Sequence, residues 1–488
     1  MTAQAATSSK PQGFGYGFSL LDDPPWNLAE VEAATGGRVR WQGGERLFRT
    51  VTTDSRGVQP GDLFLALRGE RFDGHDFIGD ALRLGAAGLI VERAPASALR
   101  VPLVEVADSL IALGNLARHR RRQMRDLRVI GITGSCGKTS VKELTGAILE
   151  QKMRIIKTRG NFNNLVGLPL SLLPVGRHHR AAILEMGMNH AGEIARLTEI
   201  ADPDVACITN VHEAHVEAFG SVDGIVRAKG ELFAGARSDA VLVFNGDDSR
   251  LARLARRYGQ RRLAFGRGRN ADVRATRISA RGLAGTGFTL HIGADVTRLV
   301  IPGHGLHSVM NALAAAAIAH ALGVDFADIA AGLAKGAPVA QRFQLVATTG
   351  GPRLINDAYN ANPGSMAAAI DAALSLRGRG RLVLVLGDMF ELGDRSETLH
   401  RELGQRAAAS GADLLLATGE ASRATVAAAR ATGMEAAHFP AKEALAADLL
   451  RRVAAGALGA EDSILVKGSR GMRMETIIEA LVAGWGGA

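Results

Sequence analysis

A short run from Val129 to Ser140, VIGITGSCGKTS, gathers the residue types that phosphate chemistry needs. The apolar stretch RVIGIT reads as a strand, a glycine-rich turn follows, and VKELTGAILEQK after it reads as a helix. In such a turn the backbone N–H groups of Gly134, Ser135, Cys136 and Gly137 can wrap phosphate oxygens at a helix N-terminus, where the dipole is positive. Lys138 would neutralise the β and γ phosphates of ATP, and Thr139, ahead of Ser140, would set a hydroxyl on Mg²⁺. The spacing departs from GxxxxGK[ST]: Ile132 stands where the first glycine is expected, and Gly134 supplies a shorter loop. The competing reading is a chance Gly-Lys-Thr in a loop, which the strand-before, helix-after context opposes.

A magnesium site also needs a carboxylate. The run AAILE ends an apolar strand in Glu185, the arrangement that places an acid beside such a hydroxyl, although a strand-end acid in solvent would look the same. A third strand, CITNV, runs into His212-Glu213-Ala214-His215, and a helical stretch then brings Lys229 in AKGELF. Two histidines three apart resemble a zinc pair, but no third ligand is evident.

These groups need a scaffold. At roughly 150 residues per domain the 488 residues suggest about three domains. Hydrophobic residues at 47% and charged ones at 22% permit a large core and exclude wholesale disorder. Aromatics at 5% with 59 glycines favour an α/β enzyme over an aromatic-rich sandwich. The chain divides as 1–23, a Ser/Gly/Pro-rich tail expected to be flexible; 24–125, an α/β domain with runs such as DLFLAL and AAGLIV; 126–340, a mainly parallel sheet built on RVIGIT, AAILEMG, DVACITNV and AVLVFN; and 341–488. The last region has the βαβ rhythm of RLINDA, RLVLVLGD, DLLLATG and SILVKGS, without GxGxxG.

Charge and cysteine content narrow the classes further. The excess of 58 Lys and Arg over 49 Asp and Glu suits anionic substrates as readily as nucleic acid. The arginine run from Arg118 to Arg128 reads as a solvated helix leading into a linker, since no aromatics interleave for base stacking. Cys136 and Cys207 alone cannot make a disulfide framework, which points to a reducing compartment. No charged segment followed by an apolar one opens the chain, and no stretch reaches about 18 unbroken apolar residues. A soluble cytoplasmic protein without membrane or nucleic-acid partners is expected.

With TGSCGKTS, the strand ending in Glu185, NVHEAHVEAFGS and AKGELF in this order, the sequence resembles the Mur ligases, ATP-dependent amide-forming enzymes of cell-wall precursor synthesis. HSVMNALAA around Asn311, APVAQRFQ around Arg342 and INDAYNANPGSM around Asp357 extend the match, which covers about Leu20 to Met474. TDSRGVQPGDLFLAL, GERFDGHDF, GNFNNLVGLPLSLL, LGDMFELG and KGSRGMRM point, within the family, to the addition of D-alanyl-D-alanine to a UDP-N-acetylmuramoyl-tripeptide. The resemblance implies an N-terminal uridine-nucleotide domain, a central P-loop-type ATPase and a C-terminal Rossmann-like domain, working as a monomer. It carries Thr139 and Glu185 to one metal position and His215 to a second. It matches Lys229 to a carbamylated lysine, Asn311 to the adenine side, Arg342 to a phosphate and Asp357 to the ribose. Asp54, Ser55 and Arg56 fall on the loop meeting the UDP-sugar, with Asn163 and Asn164 near its pyrophosphate. Cys136 departs from the Asn or Ser often found at its position, which raises the question of oxidation.

The implied amine substrate is a dipeptide whose carboxylate falls to the C-terminal domain. Its candidate loops follow strands ending at Asp357, Asp388 and Lys467, where an open parallel sheet gathers ligands. Tyr359, Asn360 and Asn362 could position a peptide, while Lys467, Ser469 and Arg470 could meet an anion. The competing readings are that Asn360 and Asn362 cap the helix after Pro363 and that Lys467 is a solvated strand end. Two other functions share the phosphate loop. A folylpolyglutamate-synthetase-like ligase lacks a uridine domain such as Trp26 to Leu116 would make, and a nucleic-acid-dependent P-loop ATPase would use the arginine run.

Overall fold

The computed structural model describes residues 24–69, 72–96, 100–213 and 216–485. The tail expected at 1–23 and the metal position expected at His215 both lie outside the described residues. The chain forms two compact units, Met1–Leu127 with Thr158–Ala182, and Arg128–Lys157 with Ile183–Ala488.

In the smaller unit a five-stranded sheet runs in the order Arg38–Arg40, Leu103–Glu105, Gly88–Val91, Leu63–Leu65, Val51–Thr52. The first strand is antiparallel to its neighbour and the others are parallel. Gly88–Val91 and Leu63–Leu65 are buried at every position, as strands covered on both faces must be. Residues 158–182, counted with the central domain on sequence grounds, cluster with this unit.

The arginine run does form a helix, Ser109–Gln123, whose first turn is capped by Asp108 Oδ1 accepting from Ile111 N at 2.8 Å. It is not solvated throughout. Arg120 and Arg121 are each 3% exposed: the Arg120 guanidinium stacks 4.3 Å from the Trp26 ring centre and donates to Pro24 O at 3.0 Å, and Arg121 donates to Met124 O. Arginine suits such a place because its planar, weakly hydrated cation stacks on an aromatic face while its N–H groups reach carbonyls.

The larger unit holds two sheets. Nine strands run in the order Asp295–Ile301, Thr286–Ile292, Val273–Ala280, Arg261–Gly266, Val241–Asn245, Val205–Ile208, Arg128–Thr133, Ala181–Glu185, Ile155–Lys157. Pairs from Arg128–Thr133 through Val273–Ala280 are parallel, and the last two chain segments of the sheet add an antiparallel ribbon. Helix Gly305–Ala321 packs on this sheet through Ala312–Ala319, an unbroken buried run rich in alanine, whose small side chains permit close approach. Six further strands run Gln344–Val346, Arg353–Asp357, Ser463–Lys467, Leu382–Leu386, Leu414–Thr418, Ala436–Phe439, all parallel except the first pair. Leu384 and Leu386 face one core cluster and Val383 and Val385 the other, so helices cover both sides of this sheet. No described helix is long and apolar enough to cross a membrane.

Candidate active site

Strand Arg128–Thr133 ends one residue before Gly134, and helix Lys138–Leu149 begins one residue after Gly137. This explains the departure from the usual loop spacing. Ile132 lies inside the strand and is buried, so Gly134 opens the turn. Both glycines are obligatory. Gly134 has φ 154° and Gly137 φ 82°, and a Cβ would come within 1.9 Å of Thr209 Oγ1 at the first and 2.3 Å of Asn311 Oδ1 at the second.

The segment after strand Val205–Ile208 holds the loop's shape. Asn210 accepts from Ser135 N through its carbonyl and from Cys136 N through Oδ1, both at 3.0 Å, while its Nδ2 donates to Cys136 O. Thr209 Oγ1 donates to the same carbonyl at 2.7 Å, and the Ser135 hydroxyl bonds the backbone of His212. The N–H groups of Ser135 and Cys136, two of those expected to wrap phosphate, bond Asn210 here. The N–H groups of the first turn of helix Lys138–Leu149, which have no intrahelical acceptor, are the ones left at the positive end of its dipole. Thr209 and Asn210 were not singled out as site residues from the sequence, although the run CITNV contains both.

Lys138 Nζ rests on the Gly134 carbonyl at 2.8 Å, with its pKa lowered by burial against the opposing pull of Glu185. Thr139 and Glu185 are buried, and the Thr139 hydroxyl donates to Glu185 Oε2 at 2.8 Å. Glu185 is thus no solvated strand end. Arg342 Nη2 donates to the same Thr139 oxygen at 2.8 Å, and its guanidinium lies 4.1 Å from the Tyr359 ring centre. Phosphate loop, strand-end acid and a residue more than 200 positions away converge on one hydroxyl. Lys229, in helix Val222–Gly235, is 3% exposed, and its pKa is driven well down, first by burial and then by the Lys138 charge. Cys136 has its thiol 3.3 Å from Asn210 Oδ1; burial opposes ionisation, but His212 and Lys138 hold its pKa below the ordinary thiol value. No cluster of three or more His, Cys, Asp or Glu suited to a metal exists among the described residues, and of the zinc-like pair only His212 lies among them.

At the second sheet the strand ends are largely committed to one another. Asp357 Oδ2 pairs with Lys467 Nζ at 2.7 Å and its Oδ1 accepts from Phe343 N, while Lys467 also donates to Asn360 O. Lys467 is buried, which overturns the reading of it as a solvated strand end. Asn362 does cap helix Pro363–Leu376, in a reciprocal pair with Ser365. Asn360 Oδ1 accepts from Arg470 N, and Ser469 Oγ accepts from Phe390 N at 2.8 Å. Asp388 accepts from Ser422 N and Oγ at the start of helix Ser422–Ala431.

In the smaller unit Asp54 receives three hydrogen bonds from Arg56, two from the guanidinium and one from its N–H, and these hold the Asp54 carboxyl below its usual range. The Arg56 side chain is otherwise in solvent, with Ser55 between the pair. Asn164 Oδ1 accepts from Gly167 N at 2.8 Å ahead of helix Gly167–Leu172, and Asn163 sits in the same turn.

Family profiles match along most of the chain: the Mur ligase family, catalytic domain, at residues 48–121; the Mur ligase middle domain at 132–319; and the Mur ligase, glutamate ligase domain, at 341–470. The UDP-N-acetylmuramoyl-tripeptide–D-alanyl-D-alanine ligase of Escherichia coli is 39% identical over 442 residues, 90% of this chain and 95% of its own. MurF from Acinetobacter baumannii superposes with a TM-score of 0.87 at 35% identity, covering 94% of this chain and 99% of that one. The Thermotoga maritima MurF ligase solved in complex with ADP superposes at 0.80 with 31% identity over 89% and 97% of the two chains. Identity of this extent over nine-tenths of the chain, with family profiles across all three regions, leaves one assignment: the chain belongs to the Mur ligase family.

Proposed function

We infer that the chain is an ATP-dependent ligase that joins D-alanyl-D-alanine to a UDP-N-acetylmuramoyl-tripeptide and releases ADP and phosphate. The observation that carries this is near full-length similarity to ligases of that name, 39% identical over 90% of the chain. The uridine-domain region of the smaller unit matches the family as well, and a folylpolyglutamate-type ligase would not need it.

A carboxylate is a poor electrophile and must be activated before an amine can attack it. The γ-phosphoryl group of ATP passes to the terminal carboxylate of the tripeptide: a carboxylate oxygen bonds to phosphorus as the bond to the ADP oxygen breaks. The dipeptide amine then attacks the acyl carbon, and phosphate leaves with the bridging oxygen. For the first step Lys138 exchanges the Gly134 carbonyl for phosphate oxygens, and Arg342, aimed by its stack on Tyr359, offsets charge on the moving group. Asn311, against Gly137, and Asp357 lie on the elements that would meet the adenosine. The loops at Asp54–Arg56 and Asn163–Asn164 would hold the UDP-sugar, and Tyr359, Asn360 and Ser469 the dipeptide.

The Thr139 hydroxyl and Glu185 carboxylate, two hard oxygen donors 2.8 Å apart, fit Mg²⁺. When bound there, the ion would offset phosphate charge. Lys229 fits a carbamate, since burial favours its neutral amine, whose lone pair can attack carbon dioxide with loss of a proton. Incubating the protein with ATP, Mg²⁺, UDP-muramoyl-tripeptide and D-Ala-D-Ala should yield a UDP-muramoyl-pentapeptide by mass. ATP hydrolysis stimulated by nucleic acid, with no pentapeptide, would overturn the reading.

A further inference from the structure

Away from the phosphate loop, the nine-stranded sheet carries a polar concavity of about 450 Å³. Strands Arg261–Gly266, Val273–Ala280 and Thr286–Ile292 supply its walls, and the last turn of helix Gly305–Ala321 closes one side. Arg261, Arg269, Arg274, His291 and His320 line it, against a single carboxylate, Asp272. That carboxylate already accepts from Ala264 N at 2.7 Å, so it is part of the local turn.

The three arginines have no ion-pair partner among the described residues. Their neighbours in sequence behave otherwise: Arg250 pairs with Asp248 and Arg267 with Asp247. Unpaired cations gathered around one concavity repel each other, and the potential they create is felt by their surroundings. His291, which also bonds Thr276 Oγ1 at 2.8 Å, has its pKa lowered by burial and then by Arg274 and Arg277. Guanidinium groups grip phosphate oxygens two at a time, and a concavity of this volume is in the range that small ligands occupy.

The cavity is separate from the nucleotide loop. Asn311, which touches Gly137, lies nine residues before His320 on the same helix, about 14 Å along its axis at the rise of an α-helix.

We propose that this cavity is a second anion site, taking a small phosphate-bearing molecule alongside the nucleotide at the phosphate loop. A concavity of about 450 Å³ favours a compact ligand over a polymer. Inorganic pyrophosphate and a nucleoside monophosphate share the required chemistry, and both serve as probes.

The full-length protein, saturated with ADP to fill the phosphate loop, is titrated calorimetrically with pyrophosphate, with UMP and with citrate. A saturable pyrophosphate site is expected. The Arg261→Gln/Arg274→Gln variant should weaken it by about tenfold for each arginine, while ADP affinity stays as in the parent and reports an intact fold. Arg269→Gln, in the exposed loop, provides an independent variant that should weaken pyrophosphate in the same direction. Pyrophosphate binding with no UMP binding that the double variant weakens assigns the site to inorganic anions, and UMP binding that the double variant weakens as it does pyrophosphate assigns it to nucleotides. The proposal is overturned if ADP-saturated protein shows no saturable pyrophosphate binding, if the variants bind it undiminished, or if citrate alone binds. A single-stranded RNA that binds through these arginines while pyrophosphate does not would make the face a nucleic-acid surface instead.

Discussion

At the strand ends of the nine-stranded sheet Lys138 rests on a carbonyl of its own loop, and Lys229 is buried with the Lys138 charge pressing its pKa down. At a central strand end of the six-stranded sheet Lys467 is buried too, but a carboxylate meets it at 2.7 Å and a carbonyl at 2.9 Å. The difference separates two uses of a buried charge. One site holds lysines with no ion pair among the described residues, whose partners, in the proposed function, a ligand and a carbamate would supply. The other satisfies its groups internally and gains a fixed scaffold, in which Asp388 and Asn362 cap helices.

The largest effects are expected at the first site. Lys138→Ala should lower kcat by about 10²–10³-fold or more, the scale for removing one preorganised charge-stabilising donor, with UDP-substrate binding within a few-fold of the parent. Near-normal turnover would remove the loop from the mechanism. Lys229→Ala should be close to inactive and recover part of its activity when a short carboxylic acid is added; full activity without the acid would rule out a carbamate.

At the second site the expected losses are of stability. Lys467→Met leaves Asp357 with its charge unpaired in a largely buried place and should cost about 3 kcal/mol in denaturant unfolding, since removing one partner of a buried pair strands the other. The double variant with Asp357→Asn should recover part of that. Asn362→Ala should cost about 1 kcal/mol, the value of a helix cap, with kcat/KM for the dipeptide little changed. A large fall in kcat/KM at unchanged stability would return Asn362 to the dipeptide site.

The same contrast explains what the sequence revealed. Gly134, Gly137, Lys138 and Thr139 were readable because a tight turn into a helix N-terminus demands those types at that spacing. Asn210 was not, since an asparagine after a strand carries no mark of the loop it will grip from 74 residues away. The ribbon from Val273 to Ile301 escaped a search for continuous apolar runs, because its outer strands alternate buried and exposed positions. Arg120 and Arg121 read as solvated because their cover, Trp26 and the Pro24 and Met124 carbonyls, becomes visible only in the fold. Around Asp357 the types were right and their partners unknown: a polar residue at a strand end looks alike whether a ligand or Lys467 will meet it.

In the proposed mechanism the phosphate loop activates a carboxylate by phosphorylation. Tripeptide labelled with ¹⁸O in its terminal carboxylate tests this directly, in a reaction with ATP and D-Ala-D-Ala. Because the bridging oxygen leaves with phosphorus, each turnover should place one ¹⁸O in inorganic phosphate. Unlabelled phosphate accompanying pentapeptide formation would contradict the account.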